Sequence, residues 1–179
     1  MNIIATAQIP GFTAAQQPSH ATDLTTEVEG LQALPAGTSY DLVGATPFHT
    51  NNHYGIPGVV TALQRIAYDY YNATHRVQNI VTHGKPIDQN HMRLRYNDMS
   101  LIAGGLFDIN GQWGKTGGHA SHTCGVDADV GNTDATRTFS INEDDLNNII
   151  INDFSGAFLI HEDRGGGNEH LHIHFADCT

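Results

Sequence analysis

His122, Asp129, Glu169, His172 and His174 are the residues of this chain whose types and spacing can do chemistry. They fall in two short stretches, Gly118-His119-Ala120-Ser121-His122-Thr123-Cys124-Gly125-Val126-Asp127-Ala128-Asp129 and Asn168-Glu169-His170-Leu171-His172-Ile173-His174-Phe175. Together these supply two imidazoles and a carboxylate to hold a metal ion, and a spare carboxylate to work on bound water. Catalytic zinc needs that set: three protein ligands, with a fourth position open to water or substrate. The expected chemistry is that of a zinc hydrolase.

The second stretch alternates strictly, as a half-buried strand does. Leu171, Ile173 and Phe175 then point to one face, and His170, His172 and His174 to the other. An apolar face against the core and a histidine face toward a cleft is what a metal-bearing strand requires. A strand with polar residues in water has the same pattern, and Asp127 and Asp129 read equally well as loop acids around a turn at Gly125. Neither stretch is decisive alone, and their co-occurrence in one small chain favours the metal. Twelve histidines in 179 residues is a high count, but His20, His49, His53, His75, His83 and His91 are scattered. Spacing carries the claim, not abundance.

The elements that must position these groups are legible in outline. Residues 1 to about 45 hold no sustained helical period and are broken by Pro10, Pro18 and Pro35; residues 1–30 read as an irregular arm. Pro57 suits a first helical turn, and Val59, Val60, Leu63, Ile66, Ala67, Tyr70 and Tyr71 follow at helical spacing, predicting a helix over 57–72. Strands are expected at Val77–Thr82, Met92–Tyr96, Leu101–Phe107 and Ala157–His161, with another ending near Val130. Ser140 and Glu143 form a capping box that opens a second helix, striped by Leu146, Ile149 and Ile150. The class expected is α+β: one domain over residues 1–179, a small central antiparallel sheet flanked by helices. The zinc site would sit in a cleft framed by the glycine-rich segments Gly111–Gly118 and Gly165–Gly167.

The formal charge is −11, from 19 acidic and 8 basic residues, which disfavours nucleic acid or an anionic membrane as the main partner. No stretch approaches the ~18 apolar residues of a membrane span, and the first residues lack the basic and apolar segments of a secretion signal. Two cysteines, Cys124 and Cys178, each lie within four residues of a proposed ligand. One bridge between them and two free thiols are both open.

The two stretches resemble the zinc peptidases that group D-Ala-D-Ala peptidases, penicillin-insensitive murein endopeptidases and the hedgehog signalling domain. That group carries His, six residues, Asp, then His-x-His near the C-terminus. Gly118-His119-Ala120-Ser121-His122 followed by Gly125-Val126-Asp127-Ala128-Asp129 looks most like the murein endopeptidase branch, with Thr123 where that branch has Gln. Ala33-Leu34-Pro35 and Asn52-His53-Tyr54-Gly55-Ile56-Pro57 follow the same order upstream, so the resemblance spans roughly residues 30–177. It implies zinc bound by His122, Asp129 and His174, with His172 beside the metal orienting the reacting group. His119 would be a further active-site histidine, near substrate or behind the ligands. Glu169, five residues before His174, occupies the slot of the catalytic base. Many murein endopeptidases hold a histidine there, whereas D-Ala-D-Ala peptidases use a nearby glutamate.

The function the resemblance implies is a zinc-dependent peptidase acting on peptidoglycan peptides, with cross-link endopeptidase the leading reading. Such an enzyme works in the periplasm or outside the cell. A D,D- or L,D-carboxypeptidase or dipeptidase would use the same metal site. It would need a closed pocket with a cation for a terminal carboxylate, for which Lys115 and Arg137 are candidates. A zinc-binding domain without hydrolysis is a third possibility, against which Glu169 argues.

Overall fold

The computed structural model describes residues 30–47, 50–73, 81–82, 85–86, 92–102, 104, 122–133, 135, 137 and 140–176. The helix expected over 57–72 is α1, Pro57–Asn72, with Pro57 in its first turn. Val59, Val60, Leu63, Ile66, Ala67 and Tyr70 form its buried stripe. Full burial of side chains such as Leu63 and Ile66 stabilises the fold by roughly 1.5–3 kcal/mol each.

Five strands make the main sheet: β2 (Tyr40–Leu42), β6 (Leu94–Tyr96), β7 (Asp127–Gly131), β8 (Phe158–Glu162) and β9 (His170–His174), in the order β2-β6-β7-β9-β8. Short pairs stand apart from it: β1 (Gln32–Ala33) with β3 (Tyr54–Gly55), and β4 (Val81–Thr82) with β5 (Lys85–Pro86). The main sheet corrects the expected all-antiparallel arrangement. It is mixed, because β2 and β6 run parallel. A parallel pair needs a long crossover, and β3 and α1 lie in the chain between these two strands.

The second helix, α2, runs Glu143–Asp153 with Leu146 and Ile150 buried. Its cap is Asn142, whose side chain accepts from the Asp145 N–H at 3.3 Å. The expected cap, Ser140, bridges to Thr133 instead. The Asn142 N–H donates to the Tyr70 hydroxyl at 2.8 Å, which fastens the start of α2 to α1. Glu143, Asp144 and Asp145 in the first turn complement the helix dipole.

Both helices contribute to one apolar cluster with Leu94, Tyr96, Ala128, Val130, Leu171 and Ile173. Strand alternation then sends Asp127, Asp129, His170, His172 and His174 to the face away from that cluster. Among the described residues no helix is long and apolar enough to cross a membrane. The expected strand residues 77–80, the segment Gly111–Gly118 and most of Leu101–Phe107 lie outside the described residues.

Candidate metal centre

The antiparallel ladder between β7 and β9 sets Asp129 opposite His172 and Asp127 opposite His174. Directly opposed side chains on one face lie ~4.5–5.5 Å apart at Cβ, so two carboxylates and two imidazoles are forced together. His172 lies between both acids. Its Nδ1 is 2.9 Å from Asp129 Oδ1 and its Nε2 is 3.1 Å from Asp127 Oδ1. His174 Nδ1 approaches Asp127 Oδ1 to 2.6 Å, and its ring tilts against Phe158 at 4.8 Å.

His122 comes from the turn before β7. Its Nε2 lies 3.1 Å from Asp129 Oδ1, and its ring meets the His172 ring edge-on at 5.1 Å. Gly125 fixes that turn at φ +75°, a left-handed conformation that glycine adopts without strain. A Cβ at Gly125 would sit 2.6 Å from Leu31 Cδ2 and 2.8 Å from the Gly55 Cα. The Gly125 carbonyl accepts from the Ile56 N–H at 3.0 Å, tying the turn to the start of α1. Cys124, within this turn, is disulfide-bonded. The chain's other cysteine, Cys178, lies outside the described residues.

The Asp129 backbone is braced on its other side. Its N–H donates to Asp98 O and its carbonyl accepts from the Asn97 N–H, each at 2.8 Å. Asp98 is itself held by the Asn52 amide at 2.6 Å. His122, Asp127, Asp129 and His172 are all at most 4% exposed.

Two groups result that can hold a metal ion: His122 with Asp129 and His172, and Asp127 with His172 and His174. Within each, the ligand atoms lie within 4.8 Å of one another. Imidazole and carboxylate donors suit zinc, whose bonds to them are ~2.0–2.2 Å. Burial pulls the His172 imidazole toward its neutral form, but hydrogen bonds to Asp127 and Asp129 outweigh it and raise its pKa to about 9. A cluster this acidic draws a proton to His172 wherever a cation does not take its place.

No protein-family model matches this chain, and no curated protein matches it either. The centre is therefore read from donor chemistry and geometry.

His172, rather than His174, joins His122 and Asp129, whereas the resemblance implies His174 as the third ligand. Glu169 belongs to neither group. Its Oε1 lies 2.7 Å from His161 Nε2, while His161 Nδ1 is 2.9 Å from Glu143 Oε2 at the start of α2. Glu169 also lines a cleft of about 610 Å3 together with His170 and Gly167. His170 Nε2 lies 3.5 Å from Asp129 Oδ1; that contact outweighs burial and raises the His170 pKa to about 9. His119 lies outside the described residues, as does Lys115. Of the scattered histidines, His53 is tied to the Tyr96 carbonyl at 3.2 Å, and burial lowers its pKa.

Asp127, for which the sequence leaves a loop acid open as it does for Asp129, is a buried partner of two histidines. The signal was present: Asp-x-Asp facing His-x-His on an adjacent strand puts four donors on one face. Arg95 lines the cleft and was not singled out. A lone arginine in a three-residue strand carries no such signal.

Proposed function

We propose that this chain is a zinc-dependent peptidase that hydrolyses peptide bonds in peptidoglycan, with cross-link cleavage as its leading reaction. The observation that carries the reading is the buried group of His122, Asp129 and His172, three ligands of the kinds catalytic zinc takes. The resemblance of residues 118–129 and 168–175 to the murein endopeptidase branch supports the substrate class.

In this reading His122, Asp129 and His172 hold the ion. Asp127 accepts from His172 on the other side of its ring and fixes its orientation, the role outer carboxylates play for metal-bound histidines. Bound zinc would polarise the scissile carbonyl and bring the pKa of its water to ~7. Glu169, on the wall of the cleft, is the base the resemblance implies. Its carboxylate, however, meets His161 on the helix-facing side of β9, whereas His170 stands on the open face beside Asp129. Glu169 would take the water proton and return it to the leaving amine only after its side chain turns across the strand. His161 holds one carboxylate oxygen of Glu169 and so limits its rotation. His170, on the same wall and beside Asp129, faces the developing charge.

Digestion of purified muropeptides, with products identified by mass spectrometry, tests the proposal. Cross-linked dimers should yield monomers with intact stem peptides, and chelation should abolish the reaction. Free D-alanine released from monomers, with dimers untouched, would transfer the assignment to the carboxypeptidase reading. Dimers and monomers both left intact by metal-loaded protein would refute the peptidase.

A further inference from the structure

The cleft beside the metal centre is lined by Lys85, Arg95 and Arg137, three of the chain's 8 basic residues. In a chain of net charge −11 such a concentration of cations runs against composition. The other described arginines have carboxylate partners. Arg93 pairs with Asp41 at 2.7 Å, Arg164 with Glu143 at 3.3 Å, and Arg65 with Asp69. Among the described residues Lys85, Arg95 and Arg137 have none.

Two details show that these cations are held in place. Lys85 Nζ donates to the Arg137 carbonyl, and Arg137 takes a left-handed φ of 57°, uncommon for a residue with a Cβ. Arg95 Nε is buried and has no hydrogen-bond partner. A buried guanidinium donor without an acceptor is the kind of group whose partner is an ion or ligand.

The position relative to the metal centre follows from the ladder. Tyr96 pairs with Val130, so Arg95 neighbours Gly131. A Cβ on Gly131 would come within 3.4 Å of Arg95 Nη1, so the guanidinium lies over this glycine. Gly131 pairs in turn with His170, which contacts Asp129. Arg95, Gly131 and His170 thus form a row across β6, β7 and β9 on the open face, two residues along β7 from Asp129.

We propose that Arg95, with Lys85 and Arg137, forms a subsite for a free carboxylate of the peptide substrate, two residue pairs along the ladder from the metal group. The proposal rests on the peptidase reading for its substrate class. Arginine recognises a carboxylate through paired N–H donors, and Lys85 and Arg137 add charge at the mouth. The carboxylate can be the peptide's C-terminus or an acidic side group within it.

Titration calorimetry with a free-acid stem tetrapeptide, its C-terminal amide, and the same peptide with its internal carboxylates amidated tests the subsite and distinguishes the two sources. The measurement is made on zinc-loaded and on chelator-treated protein. One of the two amidations should weaken binding about 10–100-fold, as loss of a charge-assisted hydrogen bond does. Arg95→Gln and Arg137→Gln should each reduce that preference, whichever metal state is used. Arg137 is exposed, so its variant keeps the test available if Arg95→Gln does not fold. Equal binding of all three peptides, absence of binding, or a preference unchanged in both variants would overturn the subsite. A preference seen in the zinc-loaded form alone would assign the carboxylate to the metal and overturn it equally. Since binding is read without turnover, a chain that cleaves nothing still reports on the subsite.

Discussion

Asp129 and His172 face each other across the ladder of β7 and β9, with Oδ1 and Nδ1 2.9 Å apart. Backbone pairing sets this distance, and the register cannot slip by one residue without turning every histidine of β9 into the core. The apolar residues Leu171 and Ile173, both fully buried, therefore hold the face that carries the His and Asp groups in place.

Metal content should follow that register. Protein purified without added metal should carry about one zinc per chain, and elemental analysis should find it largely lost in His122→Ala, Asp129→Asn and His172→Ala. His174→Ala should retain most of it, since an outer partner typically costs ~10–100-fold in affinity rather than the whole site. Loss in His174→Ala with retention in His172→Ala would restore the ligand set that the family resemblance implies.

Glu169→Gln should keep fold and metal yet lose about 10²–10⁴-fold in turnover, the usual cost of a positioned general base. Assays of His170→Ala alongside it decide between the two titratable groups on the cleft wall. Near-full activity in Glu169→Gln, with collapse in His170→Ala, would move the proton-transfer role to His170.

The stability of metal-free protein should fall as pH rises. His170 and His172 have folded pKa values of about 9 against 6.5 for a free imidazole. A raised pKa means that the folded state binds protons more tightly. Their stabilisation is thus complete below pH 6.5 and disappears as pH passes about 9. Zinc requires His172 deprotonated, so metal binding should release protons across that window and tighten as pH rises. Thermal melts of chelated protein at pH 6 and pH 9 check the sign, and a higher midpoint at pH 9 would contradict it.

Gly125→Ala should destabilise the protein by more than ~1 kcal/mol, because an added Cβ meets both an unfavourable φ and the Gly55 backbone. Urea unfolding measures the loss. Zinc affinity should weaken with it, since the same turn presents His122; a variant with unchanged stability and metal content would detach the turn from the site.

The helix at 57–72 and the two-faced strand at 170–174 were legible because long helical spacing and strict alternation are local patterns. The parallel pairing of β2 with β6 was not, since β2 spans three residues and its partner lies about fifty residues away. Local reading also chose the wrong cap for α2. Ser140 and Asn142 are both good caps, and what excludes Ser140 is its bridge to Thr133. Asp129 and the histidines were found by type and spacing, whereas Asp127 needed the register that sets it opposite His174.

The disulfide at Cys124 gives the site a chemical precondition. Two of the three proposed ligands, Asp129 and His172, stand on paired strands and are placed by the backbone ladder. His122 stands on a turn, two residues from a covalent tether. Under reducing conditions that tether opens and the turn regains chain entropy. The ion would then meet a half-assembled site, with two donors preset and the third to be recruited from a looser segment. Metal occupancy in this chain should thus track the electrochemical environment in which it folds, and a thiol reductant should weaken zinc binding even where it does not compete for the ion.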